Sequence, residues 1–98
     1  MKINKQRDGE KLTIALEGRL DTVTAKDLAD DVKDSLNGIT DLTFDLAELS
    51  YVSSAGLRVL LMAQKTMADQ GHMRVINVTE PIEQILEVTG FTTLINIE

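Results

Sequence analysis

Hydrophobic positions change period several times along the chain, and each change marks an element. Between residues 11 and 17, Leu12, Ile14 and Leu16 alternate with Lys11, Thr13 and Glu17, the period of a strand with one buried face. Asp8-Gly9 just before it is a hairpin turn signal, so residues 2–7 are expected to pair with it antiparallel. Helical spacing follows: Ala25, Leu28, Ala29, Val32 and Leu36 share one face, with Lys26, Asp27, Asp30, Asp31, Lys33 and Asp34 opposite. Thr24 and Asp27 resemble a capping box for this helix, and Asn37-Gly38 is its stop signal. Residues 42–46 read as a short strand bounded by turn formers. From Ser54 the period is helical again, with Leu57, Leu60, Leu61, Gln64 and Ala68 on one stripe and Gly71 at the end. Residues 73–78 read as a strand, and residues 79–88 as a third helix with Thr79 as N-cap, Pro81 in the first turn and Gly90 beyond it. Residues 94–97 are expected to close the sheet as an edge strand. The order ββαβαβαβ predicts an α/β fold, a mostly parallel sheet with an antiparallel N-terminal hairpin at its edge.

In such sheets functional groups gather beyond the carboxyl ends of the strands. Two segments are expected there, residues 18–22 and, running through a tight loop into the next helix, residues 47–56.

Composition narrows what those loops can do. A chain of 98 residues has room for one core, so residues 1–98 are read as a single domain. Without cysteine there is no disulfide, no thiolate metal site and no thiol nucleophile, and the cytoplasm is the expected compartment. A formal charge of −6 repels phosphate backbones and anionic membranes, which argues against nucleic acid as a partner. The three aromatics, Phe44, Tyr51 and Phe91, are too few for a base-stacking platform. The opening Met1-Lys2-Ile3-Asn4-Lys5 turns polar at once, unlike a secretory leader, and the longest apolar run, residues 59–63, is far short of a membrane span.

The most informative stretch is Asp45-Leu46-Ala47-Glu48-Leu49-Ser50-Tyr51-Val52-Ser53-Ser54-Ala55-Gly56-Leu57, which passes from a strand end into a helix. The plain reading of Ser53 and Ser54 is helix capping. The sharper one is modification: a helix N-terminus favours negative charge, so a phosphorylated serine is electrostatically tolerated there. A hydrolase reading fails for want of a Gly-x-Ser-x-Gly elbow. The single histidine, His72, is expected in the turn after the Ser54 helix, roughly 27 Å away by helix rise, too far to activate Ser54. Neither a Gly-x-x-x-x-Gly-Lys nor a Gly-x-Gly-x-x-Gly loop is present to cradle phosphates. Asp45 sits where a receiver domain carries its acceptor aspartate, but the acidic pair and late lysine of that chemistry are missing, and Asp45 is expected to hydrogen-bond the loop after it.

The same stretch resembles the STAS domain, in particular the stand-alone anti-sigma factor antagonists. Their strand ending in Asp-Leu is matched by Asp45-Leu46, and their aromatic plus aliphatic pair by Tyr51-Val52. Their Asp-Ser-Ser/Ala-Gly-Leu is matched by Ser53-Ser54-Ala55-Gly56-Leu57. Upstream, Gly18-Arg19-Leu20-Asp21 and Thr24-Ala25 resemble the family's Gly-x-Leu-Asp and threonine-led helix, and Gly90-Phe91 its closing step. The resemblance implies a phosphoacceptor at Ser54 and puts Ser53 where the family has aspartate, a departure that removes one negative charge beside the acceptor and either alters kinase recognition or leaves Ser53 as a competing acceptor.

It further implies a partner surface of Asp21, Ser53, Ser54, Gly56, Arg58 and Met62. Asp21 reads equally as a helix-start aspartate, and Val59 and Met62 either face a partner or are buried because the helix is covered on two sides. The implied partners are an anti-sigma factor that is a serine kinase of the GHKL type, and a serine phosphatase that resets the switch. The protein itself is then neither an enzyme nor a cofactor or metal carrier, acts without membrane insertion, and is a monomer or weak dimer. The alternative within the resemblance is a STAS accessory subunit of a transport or signalling complex whose serine is never phosphorylated.

Overall fold

A computed structural model describes all residues from Met1 to Glu98. Strand β1 spans Lys2–Asp8 and turns at Gly9 into β2, Lys11–Leu20; helix α1 is Thr22–Ser35 and β3 is Asp41–Val52. Helix α2, Ser54–Ala68, leads to β4, His72–Ile76, then to α3, Glu80–Val88, and a single 3-10 turn at Phe91–Thr93. The four strands lie in the order β1-β2-β3-β4, with β1 antiparallel to β2 and the other two pairings parallel.

Alternation sets which face is buried. Leu12 and Ile14 of β2 stand in register with Leu42 and Phe44 of β3, which in turn pair with Met73 and Val75 of β4. Onto this apolar face α1 contributes Ala25, Leu28 and Val32, α2 contributes Leu57, Leu60, Ala63 and Met67, and α3 contributes Ile82 and Leu86, all in one cluster. One face of sheet and one layer of helices therefore make the core, each leucine-sized side chain adding about 1.5–3 kcal/mol of burial.

Several expectations change. Both site-bearing strands run further than their alternation suggests, so residues 18–20 and 47–52 are strand and not loop. Register shifts between Ala15 and Glu17, and between Gly18 and Arg19, accommodate extra residues. Across them β3 buries Leu46, Leu49 and Val52 at spacings of three, which hides the strand from a period-two reading. Helix α1 begins earlier than its apolar stripe, with Asp21 and not the Thr24-Asp27 pair at its start. On α2 the buried stripe includes Gly56 and Val59, while Leu61 is half-buried, so the helix is indeed covered over a wide arc. His72 does not lie in a turn but opens β4, exposed, at the end of α2 remote from Ser54. The closing segment pairs with β4 through one bridge, Val75 with Ile97, because Gly90 and the 3-10 turn consume the length before it. Asp45 accepts from the Ala47 N–H at 3.0 Å, as expected, and also from the Asn77 side chain at 3.1 Å.

Candidate functional site

Two helix starts lie side by side at the carboxyl ends of neighbouring parallel strands. Leu20 pairs with Val52 at the end of the β2–β3 ladder, and the Ser53 N–H donates to the Leu20 carbonyl at 2.8 Å. The next residues, Asp21 and Ser53, are the N-caps of α1 and α2.

At Asp21 the cap is reciprocal. One carboxylate oxygen accepts from the Val23 and Thr24 N–H groups at 3.1 and 2.9 Å, and the Asp21 N–H donates to the Thr24 hydroxyl at 2.8 Å. An ionised carboxylate is a stronger acceptor than a hydroxyl, so the helix starts here and Thr24 takes the third helical position of the box. The Thr24 N–H and hydroxyl hold the Asp21 carboxyl below its usual 3.8 against the opposing effect of desolvation, with lesser help from the Val23 N–H and the Arg19 charge. A depressed folded-state value means that the ionised cap stabilises fully above the usual value and is lost as pH falls through the folded one. Urea midpoints at about pH 6 and about pH 3 should therefore drop less for Asp21→Asn than for wild type. An equal drop would remove Asp21 as a source of acid sensitivity.

At α2 the two serines divide the work. The Ser53 hydroxyl accepts from the Gly56 N–H at 3.2 Å and the residue is half-buried. Ser54 is the first helical residue, exposed, and its hydroxyl has no partner within the protein. The first turn of α2 carries no acidic residue, so the positive end of the helix is unopposed beside that hydroxyl. Gly56 does not reach the surface: a Cβ there would meet Leu20 at 2.6 and 2.9 Å and Val52 at 3.0 Å. Its role is to seat the first turn on both strand ends.

One and two turns beyond Ser54, Arg58 is exposed and Met62 half-buried, and with Leu61, Lys65 and Thr66 they line a shallow groove. Arg58 makes no ion pair. The structure thus brings Asp21, Ser53 and Ser54 to one strand-end surface and extends it along α2 through Arg58 and Met62.

Three further side chains belong to this surface. Arg19 stacks over the Tyr51 ring at 4.4 Å from its centroid, and Val23, at 75% exposure, stands in the first turn of α1. The Arg19–Tyr51 pair follows from strand register and becomes visible only when both strands are extended past the bulges. Val23 lies between polar residues where a large apolar group has no core to fill. No three His, Cys, Asp or Glu side chains converge as a metal site, and no helix is long and apolar enough to cross a membrane.

A family model described as Mlab, STAS domain matches residues 3–96. The chain belongs to the STAS-domain family. It is 30% identical over 97 residues to an anti-sigma-B factor antagonist of Listeria monocytogenes, covering 96% of this chain and 84% of that one. Against the putative anti-sigma factor antagonist BtrV of Bordetella bronchiseptica the identity is 27% over 96 residues, with 96% and 83% covered. Among solved structures, the anti-sigma factor antagonist SpoIIAA in its unphosphorylated form superposes with a TM-score of 0.85 over 99% of this chain and 88% of that one. The phosphorylated form gives 0.77, over 99% and 91%. At 16% identity that likeness is one of fold. Its STAS relatives are anti-sigma factor antagonists by name, regulatory proteins.

Proposed function

We propose that this STAS domain is an anti-sigma factor antagonist that binds a serine-kinase anti-sigma factor of the GHKL type through the Asp21–Ser54 surface and the adjoining face of α2. The partner's own ATP phosphorylates Ser54, the complex separates, and a serine phosphatase restores the binding form. The site is cytoplasmic in this reading, where the partner finds ATP. The observation that carries the proposal is the division of labour between the serines: Ser53 is spent on the helix cap, while Ser54 offers a free, exposed hydroxyl.

The chemistry needs little from this chain. The Ser54 oxygen attacks the γ-phosphorus, ADP leaves, and the hydroxyl proton passes to a base on the kinase. A protein with no converging catalytic groups suffices when its partner brings nucleotide and base. The product gains about −1.5 to −2 charges at one point, and desolvating them against an interface that fitted a neutral hydroxyl costs several kcal/mol. Release follows from that local increment more than from the total charge of −6.

A second reading keeps the surface and drops the switch: an accessory subunit whose serine stays unmodified. Incubation with the anti-sigma kinase and ATP, followed by mass spectrometry, separates the two. Phosphate is expected on Ser54, absent from Ser54→Ala and retained in Ser53→Ala, although the latter should be about 1 kcal/mol less stable for loss of the cap. Phosphate on Ser53 would reassign the acceptor, and no phosphate at all would leave the accessory-subunit reading.

A further inference from the structure

Helix α3 is the most sharply two-sided element of the fold, and its outer surface has no role in the switch. It buries Ile82 and Leu86 and leaves Glu80, Pro81, Glu83, Gln84, Glu87 and Val88 exposed. Glu80, Glu83 and Glu87 form one row at spacings of three and four, with no basic residue on the helix. None of the three carboxylates has an ion-pair partner anywhere in the fold. Like charges at such spacings oppose helix formation. Glu87 moreover stands in the last turn, where α1 and α2 carry Lys33 and Lys65 instead and where negative charge is disfavoured by the helix dipole.

Beside this row runs an apolar groove lined by Pro81, Ile85, Val88 and Thr89, with Gln84 on the boundary of both. Val88 is 88% exposed, and Leu94, just past the 3-10 turn that packs on α3, is 51% exposed. Glu80 and Glu83 stand in the first turn, where the helix dipole favours them, but the row as a whole has no cation to neutralise it and lies parallel to an apolar strip that costs solvation. The exposed face of α1 differs, since its aspartates alternate with Lys26 and Lys33 as an ordinary solvated surface does.

We infer that α3 is a second docking surface, for a cationic amphipathic helix of a protein partner. Lysines or arginines along one edge of that helix neutralise the glutamate row, and aliphatic side chains beside them fill the groove past Val88. Complementary charge is the feature that selects this occupant. An anionic membrane is repelled by the same row, and a second copy of this chain brings another −6 charges. The surface contains neither Ser54 nor Arg58, so it goes beyond the proposed switch.

The test titrates the isotope-labelled full chain with a synthetic amphipathic helical peptide carrying lysines on one edge and leucines on the next. A scrambled peptide of the same composition is the control. Amide shifts are expected to be saturable and confined to residues 80–88 and Leu94, with binding about tenfold weaker for the scrambled peptide. Val88→Asn should weaken binding about tenfold, the equivalent of one lost aliphatic contact. Glu83→Gln/Glu87→Gln should weaken it and flatten its salt dependence, whereas Asp27→Asn/Asp30→Asn on α1 should not. Equal affinity for both peptides, shifts spread over every acidic surface, or indifference to the α3 variants would overturn the inference. So would concentration-dependent shifts of α3 in the free protein with sedimentation as a dimer, which would make a second copy the occupant.

Discussion

Ser54→Asp is expected to weaken binding of the anti-sigma kinase by at least about 100-fold, while Ser54→Ala binds within about twofold of wild type. The first figure follows from desolvating a carboxylate at the centre of an interface that fitted a neutral hydroxyl, beside the carboxylate of Asp21. Aspartate carries one charge where phosphate carries nearly two, so full phosphorylation should weaken the complex further. The second figure follows because the Ser54 hydroxyl has no partner within the fold to lose. The free protein supplies an internal control. Ser54 is the first residue of α2, a position where negative charge is favourable to the helix. Ser54→Asp should therefore unfold at the same temperature as wild type or slightly above it, and a loss of affinity cannot be blamed on a loss of structure. Calorimetric titration of the kinase with the three proteins measures the effect. Equal affinities for all three would show that this serine does not govern the complex.

Much of this arrangement is legible in the residues because local and global signals agree there. The alternation of Leu12, Ile14 and Leu16 and the Asp8-Gly9 turn specify the hairpin, and the start of α2 at Ser54 is read to the residue because its cap and its apolar period coincide. What escapes is set by pairing between segments. The extension of β2 and β3 depends on bulges that shift register midway, and a bulge exchanges period two for spacings that look like loop. Asp21 as a cap is undecided on paper because an aspartate before an apolar stripe serves turn and helix start equally. Only the pairing of Leu20 with Val52 brings it beside Ser53. Burial of Val59 likewise depends on how wide an arc of α2 the sheet and α1 cover, which one helix's period does not contain. The acidic row of α3 is present in the sequence but merges into the total charge until the fold shows that nothing neutralises it.

Gly71→Ala should be the most damaging single-methyl addition in the fold, lowering stability by about 3 kcal/mol or more, a fall in Tm of roughly 15 °C. Gly71 joins α2 to β4, and a Cβ built there lies 1.9 Å from the Thr40 carbonyl oxygen and 2.6 and 2.8 Å from its carbonyl carbon and Cα. These are backbone atoms with nowhere to go. Thr40 donates its N–H to the Glu10 carbonyl at 2.9 Å and accepts the His72 N–H at 2.9 Å, so it is tied to the start of β2 on one side and of β4 on the other. Relieving the overlap parts His72 from Thr40 and opens the first rung of the β3–β4 ladder, Asp41 with His72. Against this, alanine's smaller unfolded-state entropy returns only about 0.4–1 kcal/mol. Gly9→Ala is the contrasting case: its φ of +62° strains an alanine, but nothing lies within 4 Å of the new methyl. A loss of about 1–2 kcal/mol is expected there. Urea unfolding of the two variants beside wild type decides the ranking. A Gly71→Ala protein as stable as Gly9→Ala would mean that the α2–β4 junction yields and that the Thr40 backbone is not held as its hydrogen bonds imply.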